Sequence, residues 1–292
     1  MLTFDLKTKK MVQIQNYLKI SVVTSVYNGE QYFDKVVPSI LNQTYSNFEW
    51  VIVDDGSTDA TPNLLAELAK KDARVKILSP GRLGRVKAFN YGIEKAQGEY
   101  IANQDFDDIS YPERLQLQVD FLDAHPKVAL VGCNYIVNDE NRNERYIRIP
   151  PTEHEQITRK MAKCVPFANT LVTYRKKVWG QTTGYLEMDG IEDLHLWIQF
   201  AKQGWHFGCI NEVLGEHWVH SQSFWHKSFK YSHRQRKLAS IQWQAIRELN
   251  LPLWMGIYPL GRYIYCYSPK GLKSFIRRAV VGSKEQDLKM NT

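Results

Sequence analysis

FEWVIVDDGSTD, residues 48–59, decides how the chain is read. A short run of aromatic and β-branched residues enters two aspartates and a glycine, as a buried strand does when it delivers carboxylates to a loop. The same plan recurs on either side. Upstream, residues 19–26 (KISVVTSV) form a first strand, and residues 32–42 place Phe33, Val36, Val37, Ile40 and Leu41 at helical spacing. Downstream, Leu64, Leu65, Leu68 and Ala69 mark a second helix and residues 75–78 a third strand. Ala88, Phe89, Gly92, Ile93 and Ala96 mark a third helix, and residues 100–102 form a fourth strand that runs into Asn103-Gln104-Asp105. Such alternation implies right-handed crossovers and a parallel sheet with helices on both faces. A helix over 115–122 and a strand over 128–131 follow. Beyond residue 132 the pattern loosens, apart from an amphipathic helix over 191–202 and a strand-like segment at 207–214.

Composition bounds the answer. At ~150 residues per domain, 292 residues suggest about two domains, or one with an appendage. The hydrophobic fraction of 43% and charged fraction of 24% exclude a disordered, collagen-like or coiled-coil chain. Cys133, Cys164, Cys209 and Cys266 are far apart and form no CxxC pair, so a reducing compartment is expected rather than a disulfide framework or zinc knuckle. The first 17 residues hold no apolar core of a signal peptide. No run reaches the ~18 apolar residues of a membrane span. Charge is uneven: residues 226–292 carry 13 Lys and Arg against 3 Asp and Glu, whereas residues 1–225 carry 25 against 28. The basic tail is interleaved with Trp243, Trp254, Tyr258, Tyr263, Tyr265, Tyr267 and Phe275. That mixture suits an anionic bilayer surface, where each base contributes about 1 kcal/mol. A helical appendage with a solvated basic face and a nucleic-acid contact are the alternatives; no nucleic-acid partner is expected.

In an open α/β sheet, ligands bind beyond the carboxyl ends of the strands. The first strand ends in Thr24, Ser25, Tyr27 and Asn28; the second in Asp54, Asp55, Gly56, Ser57 and Asp59; the fourth in Asp105, Asp107 and Asp108. Ser57, Thr58 or Asp59 can cap the following helix. Three carboxylates within four residues are not explained by capping. They repel one another unless a cation sits among them, and hard oxygens on a tight loop suit Mg²⁺ or Mn²⁺ holding a diphosphate. Asp55 can accept a hydrogen bond from a base N–H, Tyr27 can cover its ring, and Arg82 and Arg85 can meet phosphate oxygens. Gly81-x-x-Gly84 lacks the GxGxxG spacing and there is no Walker sequence, so carboxylates and a metal, not a glycine loop, are expected to hold the nucleotide.

The runs VVTSVYNGE, ILNQTYSNFEWVIVDDGSTD, GRVKAFNYGI and GEYIANQDFDD followed by YPERL, in this order, resemble a family 2 glycosyltransferase of GT-A fold over roughly residues 19–220. The resemblance implies an α/β fold with a mostly parallel central sheet. Residues 19–225 would form the glycosyltransferase domain, with a nucleotide half (19–130) and an acceptor half (131–225). An extension (1–18) precedes it and a basic, mainly helical tail (226–292) follows. It implies an inverting, metal-dependent transfer from a UDP- or dTDP-sugar to a hydroxyl of a glycan or lipid-linked glycan, in bacterial surface polysaccharide synthesis. The location would be cytoplasmic, with peripheral contact at the inner membrane face. Ser25, Tyr27 and Asp55 match uridine-contacting positions, with Thr24 beside them, and Arg85 a donor contact. Asp105-Phe106-Asp107 matches the DXD motif, Asp107 and Asp105 ligating Mn²⁺ or Mg²⁺, with His220 a further metal ligand or a diphosphate contact. Glu192-Asp193 matches the acidic pair before a helix, Asp193 as catalytic base; first-turn acids also complement a helix dipole. His217 precedes His220, and His195 is expected to be structural. The QxxRW motif of processive synthases is absent, which favours adding single sugars. Two other readings are a non-catalytic binding protein of this fold and a nucleotidyltransferase. The second would need a basic, glycine-rich loop after the first strand, where this chain reads TSVYNGE.

Overall fold

The computed structural model describes residues 18–188, 190–221, 231–269 and 273, with backbone alone at Tyr231 and in short strands at 2–5, 10–13 and 288–289. The expected strands form as β3 (Ile20–Val26), β4 (Phe48–Asp54), β5 (Val75–Leu78) and β6 (Tyr100–Asn103), all parallel. Helices α1 (Phe33–Leu41), α2 (Thr61–Lys71) and α3 (Arg85–Lys95) join them. The sheet runs β5-β4-β3-β6: the chain starts at β3, steps outward twice, then crosses through α3 to the other side of β3. That reversal opens a crevice at the carboxyl ends of β3 and β6, where ligands of open α/β sheets bind. Ahead of this, β1 (Leu2–Asp5) and β2 (Lys10–Gln13) pair with each other, apart from the main sheet.

The second half turns antiparallel. It comprises β7 (Ile109–Ser110), α4 (Arg114–Ala124), β8 (Val128–Asp139), β9 (Glu144–Arg148), α5 (His154–Met161), β10 (Thr173–Arg175), α6 (Lys176–Trp179), α7 (Glu192–Lys202) and β11 (His206–Val219). β10 is inserted between β6 and β8, antiparallel to both. Parallel pairing is thus confined to β3–β6 and to β8 with β11. β8 runs 12 residues, well past the expected 128–131. Its far half pairs with β9 and β11, and the polar Asn134, Asn138 and Asp139 there hide it from an apolar-run criterion. β12 (Leu288–Lys289) pairs with β9.

Alternation along the strands sorts the core into two layers. Val22, Trp50 and Ile52 face α1, α2 and α4. Val23, Val51 and Ile101 face α3, α5, α7 and α8 (Tyr231–Glu248). Leu194, Leu196, Trp197, Ile198 and Phe200 of α7 are all fully buried, so this helix is wedged inside. A 3₁₀ turn (Leu253–Gly256) leads into α9 (Ile257–Tyr267), which packs on α8.

One buried cation ties the halves together. The Arg114 guanidinium, with no exposure, donates to Gln118 Oε1 (3.2 Å), Gln104 Oε1 (3.0 Å), Ser110 Oγ (2.7 Å), Asn103 O (2.8 Å) and Val172 O (3.3 Å). Replacing it strands several buried acceptors, each costing about 1–3 kcal/mol. We expect Arg114→Leu to lower the unfolding free energy by about 3 kcal/mol or more, seen as a lower urea midpoint at unchanged slope.

Candidate active site

The loops after β3 and β4 are laced together. Asn28, at φ 54°, accepts from Thr58 N through Oδ1 (2.8 Å), and its own N–H donates to Ser57 Oγ (2.9 Å). Ser57 and Thr58 are thus committed to Asn28, and no side chain caps α2 at its N-cap residue, Ala60. Of the three expected caps, Asp59 alone accepts from the first turn, at Thr61 N (3.0 Å). Asp55 is buried. Its Oδ1 accepts from Leu83 N (2.6 Å) and Gly84 N (3.0 Å), and its Oδ2 pairs with Arg82. Gly84 sits at φ +90°, in the left-handed region that glycine adopts without strain. The Arg82 guanidinium lies 3.7 Å over the half-exposed Tyr27 ring.

The acidic loop is built around Gln104. Its buried amide donates to Asp105 O (2.9 Å) and Asp108 O (2.8 Å) and accepts from Ser110 Oγ (2.6 Å) and Arg114. Phe106 turns into the core against Trp50 and Phe33, and Gly29 leaves room for it, since a Cβ there would lie 2.7 Å from its ring. Asp105, Asp107 and Asp108 then present oxygens within 4.8 Å of one another. β7 follows at once and pairs Ile109 with Glu216 and Ser110 with Gly215 of β11, which brings the end of β11 alongside. Asp108 accepts from Trp218 N (2.7 Å) and faces His217 Nδ1 (3.1 Å), while Asp107 faces His220 Nε2 (3.1 Å). His220 also meets Tyr32 OH (3.3 Å).

Arg85, the first residue of α3, bridges to the acidic pair. Nη1 bonds Glu192 Oε1, and Nη2 stands 3.8 Å from Asp105 Oδ2. Glu192 is buried, and its Oε2 finds no hydrogen-bond partner among the described residues. It lines a cavity with Arg85, Phe89, Asn169 and Tyr185. Behind that cavity, Asn103 Nδ2 donates to Asn169 Oδ1 (2.9 Å) and Tyr185 OH (2.8 Å). Asp193 accepts from Leu194 N (2.7 Å) at the start of α7.

Burial dominates the electrostatics. It pushes the Asp193 carboxyl up to about 7, helped by the neighbouring Glu192 carboxylate. Burial also raises Asp105 against the pull of Arg85, and raises Asp107 together with the Asp108 charge. His217 would be lowered by burial, yet Asp108 carries it up to about 9. The hydrogen bond to Asp107 raises His220. Clustered hard oxygens with a histidine at their edge fit a divalent cation of the Mg²⁺ or Mn²⁺ kind. Both Asp108 oxygens serve β11, which leaves Asp105 and Asp107 as the forward carboxylates.

Arg85 therefore joins Asp105 to Glu192, with Asp193 next in the chain, and Asp107 meets His220 on the same acidic loop, while Tyr27 and Asp55 are joined through Arg82 beyond the ends of β3 and β4. Ser25 sits half-buried at the end of β3, beside them. Thr24 and Phe106 point elsewhere: Thr24 is fully buried, its hydroxyl accepting from Trp50 Nε1 (3.0 Å), and Phe106 anchors the loop from within. His195 meets Gln199 on α7 itself (3.2 Å). The sequence does not single out Asn169, Tyr185 or Arg114 as site residues, and it marks Asn103 only as a strand end. Arg114 lies in the YPERL run, at the start of a helix whose buried side also carries Gln118.

The glycosyl transferase family 2 profile matches residues 21–180. EpsE of Bacillus subtilis, named a glycosyltransferase, is 33% identical over 273 residues, 91% of this chain and 96% of EpsE. The chain belongs to glycosyl transferase family 2 and is a glycosyltransferase. Among solved structures, S. aureus TarS 1–349 with UDP-GlcNAc superimposes with a TM-score of 0.65 at 16% identity, covering 90% of this chain and 81% of that one. The mannosyltransferase PcManGT from Pyrobaculum calidifontis, with GDP-Man and Mn²⁺, gives 0.60 at 18%, covering 90% and 79%. The fold is of the GT-A kind.

The cluster's members should separate by stability in metal-free protein. Asp108→Ala removes two charge-assisted contacts and should cost about 2 kcal/mol. Asp105 behaves oppositely: its folded pKa lies above its unfolded one, so its ionisation opposes folding at neutral pH. Asp105→Asn should match or exceed the wild-type melting temperature at pH 7 after chelation.

Proposed function

We propose that the protein is an inverting, non-processive transferase that moves a sugar from a nucleoside-diphosphate donor, a UDP-sugar before a dTDP-sugar, to a hydroxyl of a glycan or lipid-linked glycan in bacterial surface polysaccharide synthesis. The observation that carries this reading is Arg85. Through it Glu192 and, next in the chain, Asp193 stand beside the Asp105–Asp107 loop, almost 90 residues away in sequence.

Asp55 and Tyr27 would take the base, and Arg85 the diphosphate side of the donor. Asp105 and Asp107, with His220, would hold Mn²⁺ or Mg²⁺, which when bound supplies positive charge against the departing diphosphate. Asp193 takes the proton of the acceptor hydroxyl as it attacks the sugar from the face opposite the leaving group. A carboxyl near neutrality is well matched to that task, ionised at working pH yet basic enough to accept the proton. Glu192 keeps Arg85 in place, and its second oxygen is open to a sugar hydroxyl in the cavity. The work would be done at the cytoplasmic face of the membrane, where a lipid-linked acceptor presents its sugar.

Melting curves with UDP, dTDP, GDP and CDP, each with and without Mn²⁺, test the donor class. A nucleotide at 100 times its Kd adds about 2.7 kcal/mol. Stabilisation by UDP only with Mn²⁺, abolished by Asp107→Ala, is expected; equal stabilisation without metal contradicts the metal site. Asp193→Asn should keep that melting shift and lose turnover by roughly 10²–10⁴. In the wild type, kcat/KM should fall about tenfold per pH unit below an apparent pKa near 7, because the base must be ionised. A flat acid limb would assign the base elsewhere.

A further inference from the structure

We propose that the outer face of α9, with the 3₁₀ turn before it, docks this enzyme on an anionic bilayer surface. This rests on the proposed function only for what the enzyme meets there, an acceptor carried by lipid.

The face is defined by spacing and exposure. Leu253 is 82% exposed, Trp254 66%, Ile257 60%, Leu260 51%, Ile264 50% and Tyr267 77%. Steps of three and four residues from Trp254 to Tyr267 put these side chains on one stripe. Along α9 alone it is about 15 Å long. Large apolar side chains in such a row are not the scattered exposure of an ordinary surface.

The stripe cannot roll inward. Arg262, on the opposite side of α9, is buried and donates to Gln242 Oε1 (2.9 Å), Gln235 Oε1 and Lys163 O (2.8 Å). Those acceptors come from α8 and from the segment after α5, so the guanidinium fixes the rotation of α9 about its own axis. Met255 and Pro259 are buried on the same inner side, Met255 against Ala162 and Ile246. At Gly256 a Cβ would meet the Trp243 ring at 2.4 Å, so the turn is closed down on α8.

Charge selects the occupant. No acidic residue occurs between Glu248 and Glu285, while residues 226–292 hold 13 Lys and Arg. Lys163 Nζ stands 5.6 Å over the Tyr258 ring and Lys273 Nζ 5.5 Å over that of Tyr265. Cations over tyrosine rings, beside an apolar row that includes Trp254, are what a headgroup layer of anionic lipid accommodates. Apolar insertion and basic attraction together give the two signals that hold a protein at a membrane without crossing it. No described helix is long and apolar enough to cross. α8 packs on α7, with Lys202 3.6 Å from Glu248, so a docked α9 sets the attitude of the helix that begins at Glu192 and Asp193.

The test is co-sedimentation of the full chain with vesicles of phosphatidylcholine alone or mixed with phosphatidylglycerol. The wild type should pellet with the anionic vesicles, less so as salt rises. Ile257→Ser/Leu260→Ser and, separately, Trp254→Ala should each weaken that binding about tenfold or more, with melting temperature and the UDP–Mn²⁺ response little changed, because each of these side chains is at least half exposed. Wild type left in the supernatant, or a double variant that binds as well as wild type, overturns the proposal. So does a wild-type dimer in sedimentation velocity that the double variant splits, with vesicles failing to compete, since the face is then an interface between copies. Vesicle binding that depends on the stripe in a protein showing no nucleotide response supports the docking face and refutes the donor reading instead.

Discussion

Three carboxylates with oxygens inside 4.8 Å are the constraint to which the rest of the molecule answers. Like charges at that separation do not stay ionised in a buried loop without help. The fold brings help from three elements. Arg85 comes from the start of α3, His217 and His220 from the end of β11, and the buried Arg114 from α4. Arg114 acts one step back. It never touches a carboxylate in this cluster; it polarises the Gln104 amide, and that amide holds the backbone of Asp105 and Asp108. The two-residue strand β7 has its purpose here as well. Its antiparallel pairing with β11 places the end of that strand, with both histidines, against the aspartates.

Much of this was legible because a parallel β–α half writes itself locally. Strands such as 20–26 and 48–54 are short, apolar and closed by polar residues, and the helices between them show their buried side every three or four positions. Strand ends in such a sheet are functional ends, so Asp55 and Asp105 could be singled out from position alone. The second half was opaque for a physical reason. β8 is paired on both edges with polar residues along its length, and β10 is three residues inserted between strands from elsewhere. Neither leaves a period to detect.

Side-chain direction was the other loss. Thr24 and Phe106 sit in the right stretches yet face the core, a choice made by Trp50 packing behind both. Asp108 looked equivalent to its neighbours, but Trp218 and His217, 110 and 109 residues on, turn it into a brace for β11. The tail's composition announced basic and aromatic character without saying which face would be outward. That depended on Arg262 finding Gln235 and Gln242 on another helix.

Arg82 leaves one consequence for recognition. Its guanidinium lies on the Tyr27 ring and on Asp55, two of the side chains that the proposed function gives to the nucleotide base. On the proposed donor reading, a base arriving there would displace a planar cation. The affinity would then be the difference between two stackings, one of them internal. Arg82 covers one face of Tyr27 while the ring as a whole stays about half exposed. The backbone amides of Leu83 and Gly84 hold Asp55 Oδ1 independently of Arg82, which bonds the other oxygen. Discrimination among bases would come from how well each replaces that cation, and Arg82 would then be a competitor against which every donor is weighed.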